Sequence, residues 1–383
     1  MDYPVIDQDA LNRMIKDDEV VALRLRHRLR SVEEAPDGAE IVYPPTYPDI
    51  GYSIDELGDG RKVALIDSVG SQANRIERLF MPGGELAELV PNYWIKIRDG
   101  RKVSIHEVAH RAADATVLAT PGLLELSETA FQRLLEGDAT EMCKAFPTSL
   151  LLGAWDSRGE TGVKLPRLVR SQIRAWDVEP LHAAAQFRSV WAHLDEAQRQ
   201  ELEGEAKKRA KELSEYGLKD SPAVFRKNRI GIPKEKDGVV NPEARILGGV
   251  LVRGGIFRHV VVNLVALRGY AARDGNDGNM TEALHRYLLG LAVLAATARM
   301  DPYLIEGCLL VDAERAGEWQ IVSRSGEVVS TNLAGDRREL FEWTRQASEP
   351  FRTQWVEAEH REYRFDLTAA KRLLAKKVSE ETE

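Results

Sequence analysis

The chain has 383 residues, with 53 lysines and arginines against 61 aspartates and glutamates, a net charge of −8 that excludes a protein coating nucleic acid with its whole surface but leaves room for a local basic groove. Hydrophobic residues make up 43% and charged residues 30%, the composition of a globular chain long enough for two or three domains or one elaborated domain. Two cysteines far apart, Cys143 and Cys308, exclude a disulfide framework and a four-cysteine zinc site and fit a reducing, cytoplasmic setting.

Met1 is followed by an acidic stretch, which predicts no secretory leader. Residues 1–19 read as a short helix with Leu11, Met14 and Ile15 on one side. From Val21 the period changes to two. Val21, Leu23, Leu25 and Leu29 fall on one face of a strand, and Arg24, Arg26, Arg28 and Arg30 on the other. Pro36, Pro44, Pro45 and Pro48, with Gly38, Gly51, Gly58 and Gly60, predict a long loop over 31–61. Val63 to Ile66 is a short apolar run that leads into a helix from about Asp67. Residues 195–215 are charged and helix-prone, with Glu203–Lys207 and Glu205–Arg209 at the i,i+4 spacing. The Pro- and Gly-bearing stretch 217–245 reads as an excursion from the fold.

Gly254-Gly255 between two apolar runs predicts a hairpin over 246–267. The Asp274-Gly-Asn-Asp-Gly-Asn run reads as a solvated turn, since Gly278 and His285 occupy places where a calcium loop needs ligands. Asn279 with Glu282 starts an apolar helix over 281–299 that Asp301-Pro302 ends. Its longest uncharged run, Tyr287 to Ala298, is well short of the roughly 20 residues that cross a bilayer, so no membrane contact is expected. Residues 308–331 read as a second hairpin and 367–383 as a charged helix. Strands and helices alternate irregularly, an α+β pattern.

The loudest motif is His106-Glu107-Val108-Ala109-His110. It matches the pattern in which two histidines one helical turn apart bind zinc and the glutamate serves as base. A zinc-dependent hydrolase is therefore the alternative reading, with Glu128 able to complete the ligand set. Against it, Ser104 and Glu107 form a capping box, which places His106 in a first helical turn and occupies Glu107. No metal and no cofactor are expected on this reading, and no Walker, dinucleotide or serine-nucleophile signature occurs.

The stretch Ile66 to Glu77 carries a different chemistry. Val69, Ala73, Ile76 and Phe80 make an apolar helical stripe, and Ser71, Asn74, Arg75 and Arg78 a polar one, with Gln72 adding an amide. Ser68, Gly70 and Ser71 at the helix start leave backbone N–H groups open to an anion. Hydroxyls, amides and arginines in that setting suit a phosphodiester backbone. Three basic clusters can extend the surface: Arg24, Arg26, Arg28 and Arg30; Lys164, Arg167, Arg170 and Arg174; and Arg226, Lys227, Arg229 within 226–236.

Asp67-Ser-Val-Gly-Ser-Gln-Ala-Asn-Arg-Ile-Glu77 resembles the signature of the type I-G (formerly I-U) CRISPR backbone subunit, a Cas-seven-type member of the RAMP superfamily. His110-Arg-Ala-Ala-Asp-Ala115, Leu151-Leu-Gly-Ala-Trp-Asp-Ser157 and Leu264-Val-Ala-Leu-Arg268 are similar to further segments of that family, in its order. The segment 227–245 departs from the pattern in being longer. The resemblance implies a modified RRM-like (ferredoxin-like) core with helical and loop insertions, spanning 1–383 as one elaborated domain with a thumb-like insertion over 186–245. It implies a non-catalytic subunit whose copies stack in a helical filament on a CRISPR RNA. Such a subunit holds the sugar-phosphate backbone without reading sequence and presents the guide to target DNA in antiviral defence. The implied partners are that RNA, target DNA through guide pairing, other copies of the chain, a large subunit and an RNA-end-capping or processing subunit. RNA contacts are then expected from Arg24, Arg26, Ser68, Ser71, Gln72, Asn74, Arg75, Arg78, Lys164, Arg167, Arg170 and Arg174, and thumb or target contacts from Phe225, Arg226, Lys227 and Arg229.

Overall fold

A strand forms wherever residues of opposite character alternate, because successive side chains point to opposite faces of a sheet. The computed structural model carries this out over residues 3–47, 50–182, 189–211, 213–219, 235–236, 239–240, 247–273, 278–314, 317–355 and 362–380, the residues it describes. A two-residue strand β1 (Val5–Ile6) leads to helix α1 (Gln8–Lys16), capped by Asp7, whose carboxylate accepts from the Ala10 N–H at 2.7 Å. The arginine-rich strand follows as β2 (Val20–Ser31). Beyond it come β3 (Glu40–Val42), β4 (Ile54–Glu56) and β5 (Lys62–Asp67), then helix α2 (Val69–Glu77). The loop expected over 31–61 is thus only partly a loop: β3 pairs with Val250–Val252 and β4 with β5.

Helices α3 (Leu123–Leu135) and α4 (Pro147–Leu152) precede the long strand β6 (Val169–His182). Helix α5 (Glu196–Lys208) is polar on all sides and buries none of its residues. Its Glu205 pairs with Arg209 at 3.3 Å as the spacing predicts, whereas Glu203 reaches Lys219. The Asp274 turn falls largely on 274–277, outside the described residues, as do most of the excursion and of the insertion's second half.

Strand β7 (Leu247–Asn263) corrects the sequence reading. The expected hairpin at Gly254-Gly255 is one continuous strand of 17 residues with a bulge. Between the pairs Trp176↔Gly255 and Val178↔Val252, two residues of β7 oppose the single Asp177, whose φ is 53°. A Cβ on Gly254 would lie 2.8 Å from the Trp176 carbonyl oxygen, so glycine permits the close approach rather than a chain reversal.

Helix α6 (Gly278–Thr297) follows, then β8 (Cys308–Asp312), β9 (Glu318–Ser323), β10 (Val328–Leu333) and helix α7 (Arg337–Ser348). Here too the expected hairpin is modified: β9 and β10 form it, while β8 is a separate strand. The principal sheet has the order β1-β10-β9-β2-β7-β6-β5-β4. Within it β9, β2, β7, β6, β5 and β4 are antiparallel neighbours. β8 takes over from β9 along the end of β2, pairing with Leu29–Ser31, where β9 pairs with Val20–Arg26.

One face of this sheet is the core. Leu23, Leu25 and Leu29 of β2, Ile256, Val260 and Val262 of β7, and Val169, Ile173 and Ala175 of β6 are all buried. Leu284, Leu288 and Leu291 of α6 and Leu11, Met14 and Ile15 of α1 join the same apolar cluster as Leu23 and Leu25. Each such side chain contributes about 1.5–3 kcal/mol on leaving water. Helix α7 crosses α6 at Gly290, where a Cβ would sit 2.1 Å from the Thr344 hydroxyl. No helix among the described residues is long and apolar enough to cross a membrane.

Candidate nucleic-acid interface

Alternation that buries one face of β2, β7 and β6 sends the intervening residues to the other. The register puts Arg24 opposite Val261, Arg26 opposite His259 and Arg28 opposite Phe257. Across β7, Arg170 opposes Val261, Gln172 opposes His259 and Arg174 opposes Phe257. Arg24, Arg26, Arg28, Arg170 and Arg174 therefore share one sheet face around Phe257 and His259, and all of these side chains are half-buried or exposed.

The aromatic ring organises the cations. The Arg26 guanidinium lies 4.2 Å from the Phe257 ring centre and that of Arg28 5.3 Å, and the ring meets His259 edge-on at 6.0 Å. Burial, followed by repulsion from Arg26, Arg24 and Arg174, holds the His259 imidazole below its usual pKa. The three arginines thus all act on that one imidazole. Arg24 donates to the Gln320 side chain at 2.7 Å, and Arg28 is paired with the buried Glu40. Among the described residues, Arg26, Arg170 and Arg174 make no ion pair. Unpaired arginines on an open sheet leave their donors for anions such as phosphate.

A second group borders this face. Lys164 sits 5.4 Å from the ring centre of Trp155, which is 56% exposed and bridges Lys164 through the backbone. Arg167 donates to the Leu152 carbonyl at 3.1 Å. Burial, then repulsion from Arg111 and Arg170, lowers its pKa.

Helix α2 lies elsewhere. Gln72 is fully buried: its side-chain oxygen accepts from the Ser171 hydroxyl at 2.6 Å, and its nitrogen donates to Asp67 at 2.5 Å. Ser171 points to the core side of β6, so α2 packs beneath the sheet, opposite the arginines. Gln72 is thus a core residue and cannot touch RNA, which corrects its expected role. Arg75 is likewise engaged, with Asp67 at 2.9 Å and the Leu304 carbonyl at 3.0 Å. Ser68 caps the helix by accepting from the Ser71 N–H at 3.2 Å. Ser71 remains half-buried, and Asn74 and Arg78 are exposed, but on a different side of the molecule from Arg24 and Arg26. Phe225, Arg226, Lys227 and Arg229 lie outside the described residues.

The family-like segments continue into a buried ion pair. Arg111 stands 2.7 Å from Glu77 and donates to the Gly153 carbonyl at 2.9 Å, tying together the Asp67–Glu77, His110–Ala115 and Leu151–Ser157 segments. Burial raises the Glu77 carboxyl to about 7 against the opposing pull of Arg111. Arg111 has φ 55°, a left-handed conformation unfavourable for a side chain with Cβ.

The zinc-like motif does not take the geometry it would need. Ile105–Glu107 is a single 3-10 turn, Arg111–Ala113 another, and no helix carries His106 and His110 together. The Ser104–Glu107 capping box is present, with Glu107 accepting from the Ser104 N–H at 2.6 Å. His106 is buried, and burial drives its pKa down to about 4. Among the described residues, no three His, Cys, Asp or Glu side chains are placed to hold a metal ion.

Phe257 and His259 are the interface residues that sequence reasoning missed. They alternate with Ile256, Arg258 and Val260, and the inward arginine at 258 disguised the period.

Residues 23–180 match the family described as CRISPR-associated protein GSU0053 (Cas_GSU0053). This part of the chain is similar to that CRISPR-associated family. It covers most of β2, α2, the Glu77–Arg111 pair and most of β6, hence most of two of the three strands that build the arginine face. No curated protein matches the chain.

Proposed function

We propose that the chain is a non-catalytic backbone subunit of a type I CRISPR surveillance complex, of the I-G kind, that holds the guide RNA by its sugar-phosphate backbone. The observation that carries this reading is the sheet face on which Arg24, Arg26, Arg170 and Arg174 converge, none of them in an ion pair among the described residues, with Glu318 opposite Arg26 at its border. The strand order supports a modified RRM-like core: numbered among themselves in sequence as β2, β6, β7 and β9, the four central strands lie in the spatial order 4-1-3-2, all antiparallel, with β10 and β1 added beyond β9 and β5 and β4 beyond β6. A helix-bearing crossover joins the first to the second and α6 joins the third to the fourth. A basic, aromatic-centred sheet is a surface on which phosphates are neutralised and bases stack. Copies on one guide would form the filament, meet the large and end-capping subunits at its ends, and leave specificity to pairing with target DNA.

The test is binding of two guide-length RNAs of unrelated sequence across a salt series. The native chain should bind both alike, with affinity falling steeply as salt rises. Changing Arg24, Arg26, Arg170 and Arg174 together to alanine should flatten the salt slope by about four units, one per phosphate contact. An unchanged slope in a folded variant refutes the reading, as does strong preference for one sequence.

A further inference from the structure

A separate three-stranded sheet, sharing no strand with the arginine face, is built from the hairpin Trp94–Arg98 and Arg101–Ser104 and from the strand Glu362–Arg364. The hairpin turns at Asp99-Gly100, where Gly100 has φ 74°, a left-handed value that a tight turn requires. Alternation sorts the side chains. Ile95 and Tyr363 oppose each other across two strands and are buried in the main apolar cluster, with the Tyr363 ring edge-on to Tyr93 at 5.7 Å. The other face then falls to Trp94, Lys96 and Arg98. The register Arg101↔Arg98, Lys102↔Lys96 and Arg364↔Lys96 brings Arg101, Lys102 and Arg364 to it as well. A bulge between Arg101 and Lys102 lets these two consecutive residues share one face.

Five cations therefore crowd a small sheet that carries two carboxylates, Asp99 and Glu362, in a chain whose net charge is −8. Those carboxylates are already engaged: Lys96 lies 3.3 Å from Asp99 and 4.0 Å from Glu362, and Arg364 lies 3.2 Å from Glu362. Arg98, Arg101 and Lys102 are exposed and make no ion pair among the described residues. The Lys102 ammonium rests 4.1 Å from the Trp94 ring centre, which leaves the indole half-buried beneath it.

The make-up of this face decides what fits. A protein partner needs a buried aromatic or aliphatic anchor at the centre of its contact, and here the single apolar side chain, Trp94, is covered by Lys102. A polyanion needs only cations in reach, because the release of its counterions supplies the affinity. Cations two residues apart on a strand, such as Lys96 and Arg98, stand about 6.6 Å apart along the backbone, close to the interval between neighbouring phosphates of a stretched single strand. Guanidiniums also take phosphate oxygens two at a time. We infer that this sheet binds a single strand of nucleic acid by its phosphates, at a site distinct from the arginine face. Arg98, Arg101 and Lys102 make the contacts, and Asp99 and Glu362 hold Lys96 and Arg364 back from them.

Fluorescence anisotropy of a labelled thymidine dodecanucleotide across a salt series tests this on the full chain. With Arg24, Arg26, Arg170 and Arg174 changed to alanine, the chain should still bind the strand. Adding Arg98→Gln, Arg101→Gln and Lys102→Gln should then lower the salt slope by about two units, about 0.7 for each of three single-strand contacts. Asp99→Asn keeps the turn and frees Lys96, and should tighten binding about threefold, a gain that loss of fold cannot imitate. A labelled polyglutamate peptide of matching charge should bind more weakly than the oligonucleotide. Tighter binding of that peptide assigns an acidic protein partner and overturns the inference. Absence of strand binding once the arginine face is neutralised overturns it too, as does a salt slope that the three glutamines leave unchanged. Because the two sets of cations lie on different sheets, this site and the RNA-backbone reading can each fail without the other.

Discussion

Arg111→Ala tests whether the family-like segments serve as a framework. The substitution leaves Glu77, 2% exposed, without its counter-charge and removes the bond to the Gly153 carbonyl. Breaking a buried pair from one side costs about 3–5 kcal/mol, because the remaining charge has neither water nor partner. For 383 residues, an unfolding entropy of about 2.1 cal/mol/K per residue gives ~0.8 kcal/mol/K, so the melting temperature should fall by about 4–6 °C. The pH dependence identifies the cause. Glu77 has its folded pKa raised, from 4.5 to about 7, so its ionisation weakens the fold as pH rises through that range. Losing Arg111 pushes that pKa further up. The deficit of the variant should therefore be largest at pH 8.5 and shrink at pH 5.5, where Glu77 is protonated. Scanning calorimetry at the two pH values reads both effects, and Glu77→Gln with Arg111→Ala should be more stable than Arg111→Ala alone at pH 8.5. A loss that is equal at both pH values, or additive effects of the two substitutions, refutes the framework role.

Further outcomes follow from where each side chain sits. Arg170→Ala should lower the salt slope of RNA binding by about one unit with an unchanged melting temperature. Arg75→Ala should do the reverse, leaving the slope intact while destabilising the chain by about 1–3 kcal/mol, since the buried Asp67 loses its counter-charge and keeps only the Gln72 amide. Trp155→Ala should leave stability unaltered, since the ring is 56% exposed, and weaken RNA binding by about 1–3 kcal/mol in a fluorescence titration if a base stacks there. Gly290→Ala should cost about 1–3 kcal/mol in chemical denaturation, since its Cβ would meet Thr344 at the crossing of α6 and α7.

The fold was legible where one period ran undisturbed. The alternation from Val21 to Arg30 places β2 and both of its faces, and the uncharged run Tyr287–Ala298 places most of α6. It was illegible where glycine has two meanings. Gly254-Gly255 reads as a turn because paired glycines reverse chains, yet here they let β7 cross the Trp176 backbone without interruption. The same local signal serves both ends, and only the 14-residue β6 alongside decides between them. The histidine motif failed for a related reason. Its spacing matches a helix, but the Ser104 cap starts a 3-10 turn that ends at Glu107, so i and i+4 never meet on one face.

The candidate site was half legible, and the division has a physical cause. Arginine on an alternating strand announces its face, because an unpaired guanidinium on the apolar side would forfeit its hydration. Arg24, Arg26, Arg170 and Arg174 follow that rule. Arg258 breaks it, and Arg75 on α2 and Arg111 in a 3-10 turn fall outside it; each is kept beneath the sheet or buried by partners that no local pattern predicts: the Gln72–Ser171 pair, Asp67 and Glu77. The signature Asp67–Glu77 thus looks like a polar surface and acts as an internal clamp, with Asp67 holding Gln72 and Arg75 while Glu77 holds Arg111. Such a clamp fixes α2 against β6, and β6 carries Arg170 and Arg174 on its other face. On the proposed reading, the buried Gln72 and the engaged Arg75 bear on RNA through the position of the strand above them rather than by contact. On this argument Gln72→Leu, which removes the acceptor for Ser171 and Arg258, should change the affinity for RNA only as far as it changes the stability of the fold.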